Sequence, residues 1–145
     1  MKELKKIIIW CDEADKKGKF YSNFYGGILT TNQHYEEVIA RITKVCLDNN
    51  LHKELKWTKV TGQYLDKYIH VIDELFHLLK EGKLKLRIMF RQNALVPTHL
   101  DEAQKRDEYF ILYYHFLKYA FGLEYANNSG KAVSLSVFFD YLPDT

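Results

Sequence analysis

Two aspartates, Asp12 and Asp140, each close an apolar run: Ile7-Ile8-Ile9-Trp10-Cys11 precedes the first, and Val133 to Phe139 precedes the second. Both runs read as strands, and carboxylates at the ends of neighbouring strands would converge. Hard divalent cations such as Mg²⁺ take oxygen ligands, commonly one or two carboxylates completed by water and substrate phosphate. A converging pair would therefore seat a metal suited to phosphodiester hydrolysis, in which two ions about 3.5–4 Å apart activate water and hold the leaving oxygen. Aspartate also follows strands because it suits the turn that comes next, so the pattern alone leaves both readings open. Glu54 and Lys56 in Glu54-Leu55-Lys56-Trp57 offer a third acid and a cation for phosphate, or else a surface ion pair beside a core tryptophan.

Other chemistries are poorly served. The histidines at 34, 52, 70, 77, 99 and 115 form none of the close pairs of a zinc site, and there is no Cys-x-x-Cys. Cys11 and Cys46 fall in a strand and on an apolar helix face, where a thiol behaves as a small hydrophobe. Glycine-rich nucleotide loops and the Gly-x-Ser-x-Gly elbow are absent. Lys16, Lys17, Lys19, Lys53, Lys56, Lys59, Lys85, Arg87 and Arg91 flank the acidic positions. They would steer a polyanion toward them or form an ordinary solvated surface.

The elements that must position these groups follow from apolar spacing. Ile7 to Asp12 is a β-branched run of the kind buried on both faces in mid-sheet. Phase puts Asp12 on the side of Ile8 and Trp10. Phe20 to Thr31 completes a hairpin, with Gly26-Gly27 marking a bulge or a close backbone approach. Tyr35, Val38, Ile39, Ile42, Val45 and Cys46 form one helical stripe; Leu65, Tyr68, Ile69, Ile72, Leu75, Phe76 and Leu79 form a second, closed by Gly82. Leu84, Leu86, Ile88 and Phe90 alternate with Lys85, Arg87, Met89 and Arg91, a strand with one apolar and one basic face. Thr98 and Asp101 have capping-box spacing before a helix over Gln104 to Tyr125 that is apolar nearly all round and must be covered all round. Val133 to Asp140 is the last strand.

The whole is 145 residues, with 21 Lys and Arg against 19 Asp and Glu and a net charge of +2, so charge alone assigns no partner. One domain of this length buries roughly 68–70% of its unfolded surface and needs no disulfide or structural metal. No apolar stretch approaches the roughly 20 residues of a transmembrane helix, and the N-terminus lacks a signal-peptide core. The expectation is a single domain over 1–145, α/β or mixed α+β, cytoplasmic and without membrane contact.

Taken in order, Ile9-Trp10-Cys11-Asp12-Glu13-Ala14-Asp15, Phe24-Tyr25-Gly26-Gly27-Ile28-Leu29, Glu54-Leu55-Lys56-Trp57 and Phe138-Phe139-Asp140-Tyr141 resemble a bacterial and phage family catalogued as domain of unknown function 3800. That family opens on a strand ending in an Asp-Glu-Ser-Gly-like motif and is similar to the ribonuclease H-like group. The resemblance implies a mixed sheet flanked by helices and a carboxylate site binding Mg²⁺ or Mn²⁺, with Asp12, Glu54 and Asp140 as metal ligands and catalytic acids. Lys56 matches the lysine of the family's Glu-x-Lys segment. Ala14 and Asp15 replace Ser-Gly, which alters the turn after Asp12 and points to Asp15 rather than Glu13 as the acid facing the site. Proteins of that fold usually supply a further acid from a C-terminal helix, and this chain ends just after Asp140. Either the chain lacks its C-terminal part or a partner completes the site.

The resemblance thus implies a divalent-metal-dependent phosphodiesterase, a nuclease acting on nucleic acid in phage defence or a mobile element. The alternative is a non-catalytic module of the same fold whose Tyr109 to Tyr125 helix forms a homodimer or docks a partner protein. A nucleic-acid binder without cleavage is the third reading.

Overall fold

The structure, a computed structural model, describes residues 4–14, 18–95, 99–127, 130 and 132–140. Its strands are β1 (Lys6–Ala14), β2 (Tyr21–Thr31), β3 (Lys85–Gln92) and β4 (Ser134–Phe139); its α-helices are α1 (Tyr35–Asp48), α2 (Leu65–Lys80), α3 (Glu102–Arg106) and α4 (Glu108–His115). The strands form one four-stranded sheet in the order β3-β2-β1-β4. β1 and β4 are parallel. The short connection from β1 to β2 permits only an antiparallel pair, so the sheet is mixed and the fold is α/β. Contacts group the chain into two compact units, Met1–Leu29 with Leu86–Thr145, and Thr30–Lys85.

In the first unit β1 is an interior strand, and Ile7, Ile8 and Ile9 are all buried, as an unbroken β-branched run requires. Ile7, Ile9 and Cys11 pack with Tyr25 and Leu29 of β2 and with Tyr113 and Phe116 of the aromatic segment. Full burial of a side chain such as Phe116 contributes about 1.5–3 kcal/mol. Along β2 the buried positions run Ser22, then Tyr25, Gly27 and Leu29. The alternation slips at Asn23, whose φ of 49° is left-handed. The bulge therefore sits at Asn23, and Gly27 serves close approach: a Cβ there would lie 3.0 Å from Phe121 Cε2 and 3.1 Å from Phe116 Cε1.

Two expectations need correcting. The aromatic helix is not continuous from Gln104 to Tyr125: α3 and α4 are separated at Asp107, a π-helical turn spans Phe116–Ala120, and Leu123–Tyr125 is a 3₁₀ turn. The π turn is closed by the Phe121 N–H donating to the Phe116 carbonyl at 3.1 Å, five residues back, and Gly122 at φ 66° ends the run. Within this chain the run is covered on one side. Tyr113 and Phe116 are buried, but Phe110, Ile111, Tyr114 and Tyr119 are exposed, with Lys118 Nζ lying over the Tyr114 and Tyr119 rings at 5.3 and 5.0 Å. In β3 the apolar alternation does not face the core along its whole length: Leu84 just before the strand is buried, but Ile88 is 63% and Phe90 50% exposed, and Met89 from the other face packs inward. Phe90 instead meets Tyr21 and Phe24 of β2, and two arginines from the basic face fasten the aromatic segment. Arg87 Nε donates to the Ala120 carbonyl at 3.0 Å, and Arg91 pairs with Glu108.

A capping box opens α3, one turn later than its expected position. The Asp101 carboxylate accepts from the Gln104 N–H at 2.7 Å while the Gln104 side chain accepts from the Asp101 N–H at 3.1 Å. Thr98 lies outside the described residues.

In the second unit α1 packs on α2. Gly82 closes α2 at φ 74°, its N–H donating to the Leu79 carbonyl at 3.0 Å, and the Lys83 N–H donates to that of Leu78 at 3.0 Å. Arg41 of α1 pairs with Glu37, Glu74 and Glu81, so one guanidinium ties both helices to the turn after α2.

Gly27→Ala pushes a methyl group into two ring edges and is expected to cost about 1–3 kcal/mol in urea denaturation. Gly62→Ala, where a Cβ meets nothing within 4 Å, is the control and should leave the midpoint nearly unchanged.

Candidate functional site

The register of β1 on β4 runs Lys6↔Ser134 through Trp10↔Phe138 to Cys11↔Phe139. The next residue of each strand is Asp12 and Asp140. Asp12 continues β1 and Asp140 follows β4 in a bend, so each carboxylate comes one residue after the last paired position, at the C-terminal ends of adjacent parallel strands. Within β1, Asp12 alternates with Cys11 and so takes the side of Trp10, opposite the face of Ile9, Cys11, Val137 and Phe139 that packs into the core. Both aspartates are exposed. Asp12 Oδ1 accepts the Glu13 N–H at 2.8 Å, which orients its carboxyl group.

Glu13 points the other way. Its carboxylate accepts the Tyr109 hydroxyl at 3.1 Å and the Tyr113 hydroxyl, so the aromatic segment grips β1 one residue beyond Asp12. Tyr113 is buried and stands edge-on to Tyr25 at 4.7 Å and to Phe139 at 4.9 Å, linking the clamp to both neighbours of β1. Burial and the Glu13 carboxylate push its phenol well above the usual tyrosine range. The role of Glu13 escaped the sequence reading. Phase along β1 puts it on the core face with Cys11, and a charge on that face demands a partner, but nothing in a tyrosine-rich stretch says which rings turn their hydroxyls inward.

The entry to β2 is held by Asn93, just past β3. Its Oδ1 accepts the Ser22 hydroxyl at 2.8 Å, its Nδ2 donates to the Gly18 carbonyl at 2.8 Å and its N–H donates to the Phe20 carbonyl at 2.8 Å. Asp15, expected in place of Glu13 as the acid facing the site, lies outside the described residues, as do Lys16 and Lys17.

Glu54 and Lys56 belong to the second unit, in the extended segment that leads into a 3₁₀ turn at Trp57–Lys59. They pair with each other at 2.9 Å, both substantially exposed. Trp57 beside them is 88% exposed rather than a core residue. Glu54 lines a cavity of about 510 Å³ together with His52, Lys59, Tyr64 and Tyr68.

Among the described residues no group of three or more His, Cys, Asp and Glu side chains is placed to hold a metal ion. The two strand-end carboxylates still fit Mg²⁺ or Mn²⁺ chemically, since such ions are commonly held by one or two carboxylates with water and phosphate completing the shell. Cys11 supplies no nucleophile. It is 5% exposed, and burial, with the Glu13 charge, pushes its thiol up to about 11. Comparison with protein-family models, with curated proteins and with solved structures returns no match.

The raised thiol sets an alkaline limit on stability. An unfolded thiol ionises near 9.0 and the folded one near 11, so between those values the unfolded state has lost a proton that the folded state keeps. Stability is then present in full below pH 9 and falls as pH rises toward 11, in the same direction as the loss from Tyr113. Urea midpoints measured across that window should fall, and more steeply in the wild type than in Cys11→Ala.

Proposed function

We propose that this chain is a divalent-metal-dependent phosphodiesterase of ribonuclease H-like type, acting on nucleic acid, with Asp12 and Asp140 as the carboxylate seat for Mg²⁺ or Mn²⁺. The observation that carries the reading is the parallel pairing of β1 and β4, whose register runs to Cys11↔Phe139, so that two aspartates far apart in sequence each follow the last paired position of adjacent strands. The order of short motifs shared with domain of unknown function 3800 supports the same assignment, including its setting in phage defence or a mobile element.

A bound ion would supply Lewis acidity for the attacking water and the leaving oxygen. The chain's own residues do the rest. Asp12 and Asp140 supply the hard oxygen ligands, the Glu13 N–H orients Asp12, and the Glu13–tyrosine clamp fixes the strand end that carries it. Glu54 and Lys56, in the other unit, form an exposed ion pair of their own, whose loss on meeting a phosphate would cost little.

Isothermal titration with Mn²⁺ is expected to show binding in the wild type that weakens at least about tenfold in Asp12→Asn and in Asp140→Asn, with cleavage of a labelled oligonucleotide lost in both. Undiminished metal binding in both aspartate variants overturns the reading. It would then favour the non-catalytic interaction module, for which the exposed outer side of α4 at Phe110, Ile111 and Tyr114 speaks.

A further inference from the structure

In the second unit the apolar stripe of α2 is wider than its packing on α1 uses. Val71 and Leu78 are buried, yet Leu65, Ile69 and Ile72 stay 43–46% exposed. These three line a cavity of about 390 Å³ together with Leu55, Trp57 and Val60 from the segment before α2, and only Lys56 and Asp73 bring charge to it. The cavity of about 510 Å³ that Glu54 lines adjoins this one, since Leu55 and Tyr68 line both. Its character is different. Lys53 and Lys59 line it with His52 and Thr61, and Lys67 Nζ stands over the ring of Tyr64, another lining residue, at 5.3 Å. Glu54, the acid of that lining, is already matched by Lys56. Among the described residues neither Lys53 nor Lys59 has an ion-pair partner. An apolar cavity thus adjoins one with two unmatched cations, and each volume lies within the roughly 300–1,000 Å³ of small-molecule sites.

We propose that the two cavities together bind a free single-chain amphiphile with an anionic head, a carboxylate or phosphate, with the head at Lys53 and Lys59 and the hydrocarbon chain along Leu55, Ile69 and Ile72. The site is independent of the carboxylate seat at Asp12 and Asp140, which belongs to the other unit. Charge selects the head: two unmatched ammonium groups attract an anion and repel a cation, and salt weakens both effects. The apolar lining selects the chain, because it has little to offer a polar ligand, whereas each methylene taken out of water tightens binding roughly fourfold. Trp57, 88% exposed, is the lining residue with the most surface to lose to a bound chain. A second copy of the protein is the poorer occupant. A two-fold interface brings the same patch from both sides, so the lysine excess of each copy would meet that of the other. Leu65, Ile69 and Ile72, each less than half exposed, are recessed, which suits one chain laid along them better than a bilayer surface.

The chain holds two tryptophans, so Trp10→Phe leaves Trp57, at the cavity itself, as the sole indole reporter. Decanoate and decyl phosphate are titrated into that variant of the full chain, below their micelle concentrations, while Trp57 emission is read. The expected result is a saturable shift to shorter wavelength with both probes. The midpoint should fall roughly fourfold for each methylene added between octanoate and decanoate. Lys53→Gln with Lys59→Gln should raise it roughly 2- to 30-fold, and Ile72→Gln roughly 3- to 30-fold. All three side chains are exposed, so the far-ultraviolet spectra should stay unchanged and separate lost binding from lost folding. Decyltrimethylammonium, with the same chain and a cationic head, should bind more weakly than decanoate at low salt, and the gap should close as salt rises. Equal midpoints for the anionic and cationic probes at low salt overturn the proposal, as does a midpoint that the lysine pair or Ile72→Gln leaves unmoved. A shift seen only above the micelle concentration, or only with phosphatidylcholine–phosphatidylglycerol vesicles, assigns the patch to a lipid surface and overturns it too. A shift that follows protein concentration without any probe seats a second copy on α2, with the same consequence.

Discussion

The parallel pairing of β1 with β4 is the constraint from which the remaining geometry follows. A strand has two faces and a period of two, so one register assigns every side chain of both strands at once. Ile7, Ile9 and Cys11 with Val137 and Phe139 take one side; Ile8 and Trp10 with Ser136 and Phe138 take the other. The first side is the base of the core in this unit, where Tyr25, Tyr113 and Phe116 close over it. A shift of one residue in β4 would carry Phe138 into that core and Val137 out of it. The cost of such a slip is what holds the two aspartates in place.

The aromatic segment stabilises that arrangement from the core side. A plain α-helix from Gln104 onward would carry its rings in even rows, but the π turn at Phe116–Ala120 inserts an extra residue and places Phe116 and Phe121 on the backbone of Gly27. Only glycine leaves room there. Upstream, Tyr109 and Tyr113 reach the Glu13 carboxylate. Leaving that charge without its hydroxyl donors on the core face would cost on the order of 1–3 kcal/mol, so the clamp is a firm link between the helix and the end of β1. The same residue that interrupts the hydrophobic run of β1 therefore anchors it, one position from the proposed ligand.

How far the fold was legible depended on whether a single element settled its own pattern. β1, α1 and α2 are readable because an unbroken β-branched run and two 3.6-residue stripes each have one sensible burial, and Gly82 closes α2 where glycine is the cheapest left-handed residue. β3 misleads because alternation identifies two faces without saying which is inward; Phe90 finds Tyr21 and Phe24 instead of the core, and Arg87 and Arg91 find the aromatic segment. The broken aromatic run was hidden for the opposite reason: when nearly every position is apolar, no periodicity remains to mark a π turn. At the site, Asp12 and Asp140 could be singled out as strand ends, and their adjacency needed only the pairing of two strands. The destination of Glu13, the pairing of Glu54 with Lys56 and the exposure of Trp57 all depend on tertiary neighbours that local sequence does not encode.

Everything proposed for this face requires the side chains at 12 and 140 to be neighbours, and that can be measured without substrate or metal. With Cys11→Ser and Cys46→Ser removing the native thiols, Asp12→Cys and Asp140→Cys together place two sulfurs on adjacent strands, within the roughly 4.4–6.8 Å Cα separation that a disulfide spans. Mild oxidation of the folded protein should close the cross-link rapidly, seen as a mass loss of two hydrogens and a peptide joining the two strands. Two thiols that stay free to Ellman's reagent in the folded, oxidant-treated protein would contradict the register and, with it, the carboxylate seat.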